Sequence, residues 1–306
     1  MSTTKVAGSG TTESWSALPP DLRLGPVHLI VSDLERSATW YQRALGLHVH
    51  ERGAQVFLGD GSETSVVLHE DREARRPGRH AGLYHYALLY PDRRELSLTI
   101  RRIAAAEVPV QGMSDHGTHE AIYLADPDGI GIELAADRSR DQWPDLGQMI
   151  KSGLGPSPLD LDDLLAVTAS DRPAPTVGKG LRVGHLHLHV GDVQEALTFY
   201  SDVLGFERKM NVGSAGFVSA GGYHHHLGLN EWQGKGVGPV PDHVTGLKEW
   251  TVVLPDADSV EAARRRFASA SIPVEERDVG FTAVDPWGIR VVIVVGQDSR
   301  KRGEAA

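Results

Sequence analysis

Val27-His28-Leu29-Ile30-Val31, followed by Ser32-Asp33, is the stretch on which the reading of this 306-residue chain turns. The run is apolar and β-branched, and Pro26 and Ser32-Asp33 bound it, so it reads as a strand. Leu34, Ala38, Tyr41 and Leu45 then recur at helical spacing, with Gly46 as the stop. Ser32 with Glu35 three residues on reads as a capping box. His28 is out of place, a polar ring inside a buried-looking strand. The pattern returns at an offset of 159 (Asp33 to Asp192) as Leu186-His187-Leu188-His189-Val190, then Tyr200, Leu204 and Gly205. A strand that opens each half of the chain with an inward histidine is either a packing feature or the first ligand of a metal site.

Working outward, short strands are expected around Leu47–Glu51, Gln55–Leu58 and Ser65–Glu70, with a hairpin turn at Gly59-Asp60-Gly61. The pattern then restarts with a strand at Tyr84–Leu89, a helix from Arg93 to Ala106, and strands near Val110, Ala121–Leu124 and Ile130–Leu134. Asp126-Pro127-Asp128-Gly129 turns between the last two. The first half is thus βαβββ written twice, and the second half repeats it. The fold class expected is α+β: two tandem domains, each of paired βαβββ modules forming a curved mixed sheet or half-open barrel. Residues 1–21 read as a flexible tail, 22–138 as a catalytic metal-binding domain and 139–180 as a Pro/Gly-rich linker with one short helix at Leu159–Val167. Residues 181–296 read as a degenerate copy and 297–306 as a frayed tail.

Composition narrows the function. The chain has no cysteine, which excludes disulfides, thiolate metal sites and cysteine nucleophiles. A formal net charge of −10 argues against a nucleic-acid or anionic-membrane partner. No stretch approaches the roughly 20 apolar residues of a membrane span, and the first twenty residues lack a signal-peptide core, so a cytoplasmic location is expected.

The two copies disagree in an ordered way. His28 keeps a histidine counterpart, His187, but His85 faces Glu249, Glu133 faces Val292 and Tyr123 faces Thr282. The first copy also has an insertion before Asp126 carrying His116 and His119, and His69 has no histidine counterpart. Two imidazoles and a carboxylate on three strand interiors, His28, His85 and Glu133, would form a facial triad suited to non-haem Fe(II). Buried polar groups need a partner, and a metal supplies a common one.

These residues resemble the vicinal oxygen chelate (glyoxalase/bleomycin resistance/dioxygenase) superfamily, and within it the type I extradiol dioxygenases of the catechol 2,3-dioxygenase kind. The resemblance covers most of 22–138 and 181–296. It is carried by Val27 through Leu34, Tyr84-His85-Tyr86, and Tyr123 through Glu133. It implies an Fe(II) centre, with Mn(II) as an alternative, held by His28, His85 and Glu133. It also implies His69 as base, Tyr123 as a hydrogen-bond donor to substrate and His116 (or else His119) as a proton-transfer partner. The implied reaction is cleavage of a small aromatic diol by O2, with a homo-oligomer as the expected assembly. In the best-known two-domain members the second domain carries the metal, whereas here the order looks reversed. The rivals are a glyoxalase-like isomerase, a hydroquinone-cleaving dioxygenase, and a metal-free binding or resistance protein.

Other signals read as structural. His224-His225-His226 alternate faces along a strand, so one chain cannot aim all three at one metal, and they suggest an interface, a substrate contact or adventitious metal binding. His185, His187 and His189 share one strand face, but their own copy lacks the carboxylate.

Overall fold

The structure, a computed structural model, describes residues 17–145 and 155–296. Four βαβββ modules follow one another. The first is β1 (Arg23–Val31), α1 (Leu34–Leu45), β2 (His48–Arg52), β3 (Gln55–Gly59) and β4 (Thr64–Glu70). The second is β5 (Gly82–Tyr90), α2 (Arg93–Ala105), β6 (Val110–Asp115), β7 (His119–Ala125) and β8 (Gly131–Asp137). After α3 (Leu161–Ala166), the third holds β9 (Arg182–His189), α4 (Val193–Leu197, continued by a π-turn over Thr198–Val203), β10 (Glu207–Asn211), β11 (Ala215–Ser219) and β12 (Leu227–Asn230). The fourth is β13 (Gly246–Leu254), α5 (Ala257–Ser269), β14 (Glu275–Glu276), β15 (Phe281–Val284) and β16 (Arg290–Val295).

The strands form two eight-stranded mixed sheets, ordered β14-β15-β16-β13-β1-β4-β3-β2 and β10-β11-β12-β9-β5-β8-β7-β6, and neither closes into a barrel. The tandem α+β architecture is the expected one, but the partnering of modules is not. Each sheet takes one module from each repeat: β1 pairs antiparallel with β13, and β5 with β9. Periodicity could not have shown this, because a strand's in–out alternation is the same whichever strand lies beside it.

Alternation sorts the side chains. Val27, Leu29 and Val31 of β1, Tyr86 and Leu88 of β5, Leu186 and Leu188 of β9, and Trp250 and Val252 of β13 belong to one continuous core. His28, His85, His185, His187 and Glu249 therefore face away from that core, those of β1 and β13 on one sheet and those of β5 and β9 on the other.

The helix α1 is capped by Asp33, whose carboxylate accepts from the Arg36 amide, and not by Ser32 of the expected capping box. The Ser32 hydroxyl is engaged elsewhere, donating to Asp128 at 2.6 Å, and Asp128 also takes Arg36 and Ser37. This carboxylate clamps the first module to the turn of the second. In the same turn Asp126 accepts from the Tyr41 hydroxyl and from the amides of Asp128 and Ile130. Asp285 repeats the arrangement with Tyr200, Trp287 and Ile289. Burial outweighs these donors and pushes both carboxyls up to about 6.

The linker is stitched to α2. Arg93 pairs with Asp163, Arg101 donates to the Leu165 carbonyl, and buried Arg102 holds the carbonyls of Ala174 and Thr176. The expected linker helix is present as α3, with Leu164 buried. Residues 1–16 and 297–306 of the expected tails lie outside the described residues. Leu18, inside the expected N-terminal tail, is buried and donates its amide to the Gly205 carbonyl. Among the described residues no helix is long and apolar enough to cross a membrane.

Arg102→Met should cost about 2–4 kcal/mol in chemical denaturation, because it strips charge-assisted donors from two linker carbonyls. Exposed Arg94→Met should cost under about 1 kcal/mol. A second prediction concerns pH. Asp285 binds its proton more tightly folded than unfolded, so its contribution to stability falls as pH rises from about 4 to about 6 and then levels. The stability of Asp285→Asn relative to the unsubstituted protein should rise by about 3 kcal/mol across that window, read by urea unfolding at either end.

Candidate metal centre

The outward face of the second sheet gathers most of the chain's unusual polar residues. His85 stands on β5, directly opposite His187 on β9. Glu133 stands on β8, opposite Tyr123 on β7. Two glycines make the crowding possible. A Cβ on Gly131, the β8 partner of His85, would lie 2.2 Å from the Tyr84 carbonyl oxygen, and one on Gly228 would lie 2.8 Å from the His187 ring.

Glu133 is the hub and is 1% exposed. Its Oε2 lies 3.1 Å from Nε2 of both His85 and His185, and its Oε1 lies 3.1 Å from Nε2 of His119. Burial alone would raise this carboxyl. The three imidazoles around it, His185 first and then His119 and His85, outweigh burial through their hydrogen bonds and hold Glu133 ionised, well below the usual range. Burial, foremost, pushes His185 and His187 down, keeping both imidazoles neutral as ligation requires.

His85, Glu133 and His185 each offer one ligand atom within 4.8 Å of the others, and all three are buried. Beside them Nε2 of His187 is buried without a hydrogen-bond partner among the described residues. Two imidazoles and one carboxylate, with a further nitrogen unsatisfied, fit a borderline divalent ion with open coordination positions.

Around this set stand residues able to handle protons. The Tyr123 hydroxyl lies 2.8 Å from His116 Nε2, and the His116 ring stacks on His119 at 4.5 Å. Burial, then the Glu133 charge, raises the Tyr123 phenol, so it stays a neutral donor. Burial lowers His116 to about 4. The His225 ring is 4.3 Å from that of His185, and its Nδ1 is 2.8 Å from His224 Nδ1. Tyr84, Trp232 and Phe217 present their rings to His187 at 5.4, 5.0 and 5.7 Å, forming an aromatic wall. Trp232 is 55% exposed, so this wall opens to solvent.

Of the residues expected from sequence, the structure brings together His85, Glu133, Tyr123 and His116. His28 and His69 are not with them. They lie on the first sheet, His28 Nδ1 3.0 Å from His69 Nε2, with Lys248 Nζ 3.2 Å from His69 Nδ1. Two expectations are corrected here, His28 as partner of His85 and Glu133, and His69 as base. Both assumed that β1 lies beside β5, whereas β9 lies there, so His185 occupies the place expected for His28. The second repeat, expected to be degenerate, supplies His185, His187 and His225. One signal could have found His185: at the offset of 159 its counterpart is Pro26, so the histidine is new in the second copy. On the first sheet the counterparts of His185, His85 and Glu133 are Pro26, Glu249 and Val292, and Glu249 is held by Arg277 at 2.6 Å.

The model of the Glyoxalase/Bleomycin resistance protein/Dioxygenase superfamily matches residues 23–134 and again 182–293. The chain is 38% identical over 281 residues to the catechol-2,3-dioxygenase of Bacillus subtilis (strain 168), covering 89% of this chain and 96% of that one. Among solved structures, a protein from B. subtilis subsp. subtilis str. 168 superposes with a TM-score of 0.61 at 13% identity, covering 92% of this chain and 86% of that one. Glyoxalase I from Zea mays superposes with a TM-score of 0.56 at 18% identity, covering 92% and 95%. Both are likenesses of fold.

The ligand geometry predicts that His185→Ala and Glu133→Ala lose at least about 10-fold in affinity for a divalent ion, measured by competition with a chromophoric chelator. His28→Ala should bind as the unsubstituted protein does.

Proposed function

Because the chain belongs to the Glyoxalase/Bleomycin resistance protein/Dioxygenase superfamily, we propose that it is an extradiol dioxygenase that opens a catechol-type ring with O2 beside the diol. The observation that carries this reading is the convergence of His85, His185 and Glu133 next to Tyr123, His116 and His225. The catechol-2,3-dioxygenase relative, matched over nearly its whole length, supports it.

The ion proposed is Fe(II), held by His85, His185 and Glu133, and it supplies Lewis acidity toward the diol and redox contact with dioxygen. The remaining work falls to the chain. Tyr84, Trp232 and Phe217 give a flat ring an apolar surface to lie against, open to solvent at Trp232. His225 is neutral because burial, first, and then His185 and His224 push it down, so it can take a hydroxyl proton from the diol. Tyr123 donates a hydrogen bond toward the substrate oxygens, and His116 holds that hydroxyl in place. Both atoms of O2 enter the product, a ring-opened semialdehyde acid that is yellow when ionised.

The test is oxygen uptake by protein loaded anaerobically with Fe(II) and given catechol and then 3- and 4-substituted catechols. One O2 consumed per ring with a yellow product is expected. His225→Ala should lower kcat by about 10²–10⁴ while the metal stays bound. Bound metal without oxygen consumption on any diol would defeat the reading and leave a metal-assisted isomerase.

A further inference from the structure

We propose that Asp137 and His224 form a relay that sets the tautomer of His225, placing its proton on Nδ1 and leaving Nε2 bare on the opposite edge of the ring. The functional consequence rests on His225 being the base of the reading above, whereas the tautomer itself does not.

Asp137 ends β8 four residues beyond Glu133, on the same face of the sheet. Its Oδ1 lies 3.2 Å from His224 Nε2, and the Tyr223 hydroxyl donates to the same carboxylate at 3.0 Å. Burial would raise Asp137, but the hydrogen bond from His224 foremost holds it below the usual range, so it is ionised and can only accept. The proton in that contact therefore sits on His224 Nε2. His224 is 5% exposed and neutral, pushed by burial to about 4, so its Nδ1 carries only a lone pair. That Nδ1 is 2.8 Å from Nδ1 of His225. A hydrogen bond of this length needs one proton, and only His225 can supply it. Neutral His225 is thus Nδ1–H, with Nε2 a lone pair.

The arrangement has the logic of a carboxylate that orients an imidazole, extended by one ring. When a diol hydroxyl loses its proton, the O–H bond breaks and an N–H bond forms at His225 Nε2. The positive ring is then faced, through His224, by the Asp137 carboxylate. Asp137 and His224 are positioning residues, since neither is required to touch substrate.

The test uses the ring-nitrogen resonances of ¹⁵N-labelled, metal-free protein. Protonated Nε2 on His224 and protonated Nδ1 on His225 are expected. In Asp137→Ala the His225 signals should move toward the Nε2–H tautomer. In the Fe(II)-loaded enzyme kcat should fall about 10²-fold with KM within about 3-fold. Asp137→Glu should restore both the tautomer and the rate in part, as a purely structural role would not require. An Nε2–H tautomer at His225 in the unsubstituted protein, or an unchanged tautomer in folded Asp137→Ala, would overturn the proposal. So would Zn(II) displacing the His224 Nε2 proton in a Glu133→Ala protein, because His119, Asp137 and His224 would then be a metal site. The expected tautomers without diol cleavage would leave the relay standing and defeat the reaction instead.

Discussion

The antiparallel pairing of β5 with β9 is the contact on which the rest depends. It sets His85 opposite His187 and brings His185 to within 3.1 Å of Glu133. A carboxylate as buried as Glu133 is costly unless its lone pairs are answered. Two of its three imidazole partners, His85 and His119, come from its own repeat, and the third comes from the other. The strand pairing and the charge balance of the centre are therefore one constraint. A slip of a single residue at β5–β9 would turn the outward histidines into the core and leave Glu133 under-compensated.

The first sheet shows the same scaffold resolved another way. Its central strands also pair antiparallel, and His28 lies opposite Glu249 as His187 lies opposite His85. There the carboxylate is neutralised by Arg277, with Arg290 3.8 Å away. A guanidinium fork fills the acceptor sites that imidazoles occupy on the second sheet, and among the described residues no group of three candidate ligands gathers around Glu249. His28 and His69 satisfy one another through a ring hydrogen bond. Two chemically different answers to a buried carboxylate thus sit on opposite sides of one core.

Much of this was legible in the residues. The repeat was plain, and α1 spans Leu34–Leu45 as its periodicity and Gly46 indicate. His85, Glu133, Tyr123 and His116 stood out because their counterparts are Glu249, Val292, Thr282 and an absent loop. What the residues could not carry was the neighbour of each first strand. An alternating strand presents the same face to any partner, so His28 and His185 were equally eligible until the sheets were known. The histidine triplet at 224–226 was hard to read for a related reason. His224 and His225 bond to each other through Nδ1, a contact between chain neighbours on an irregular loop that no strand alternation anticipates.

The exchange of modules has a historical side. A duplicated gene ordinarily frees one copy to change while the other keeps the original task. Here the centre draws its carboxylate from one repeat and a converging imidazole from the other, so relaxation of either copy is felt by both. On the first sheet the corresponding positions hold Pro26, Glu249 and Val292, so a change there leaves the cluster intact, whereas a change at either repeat's share of the second sheet alters it.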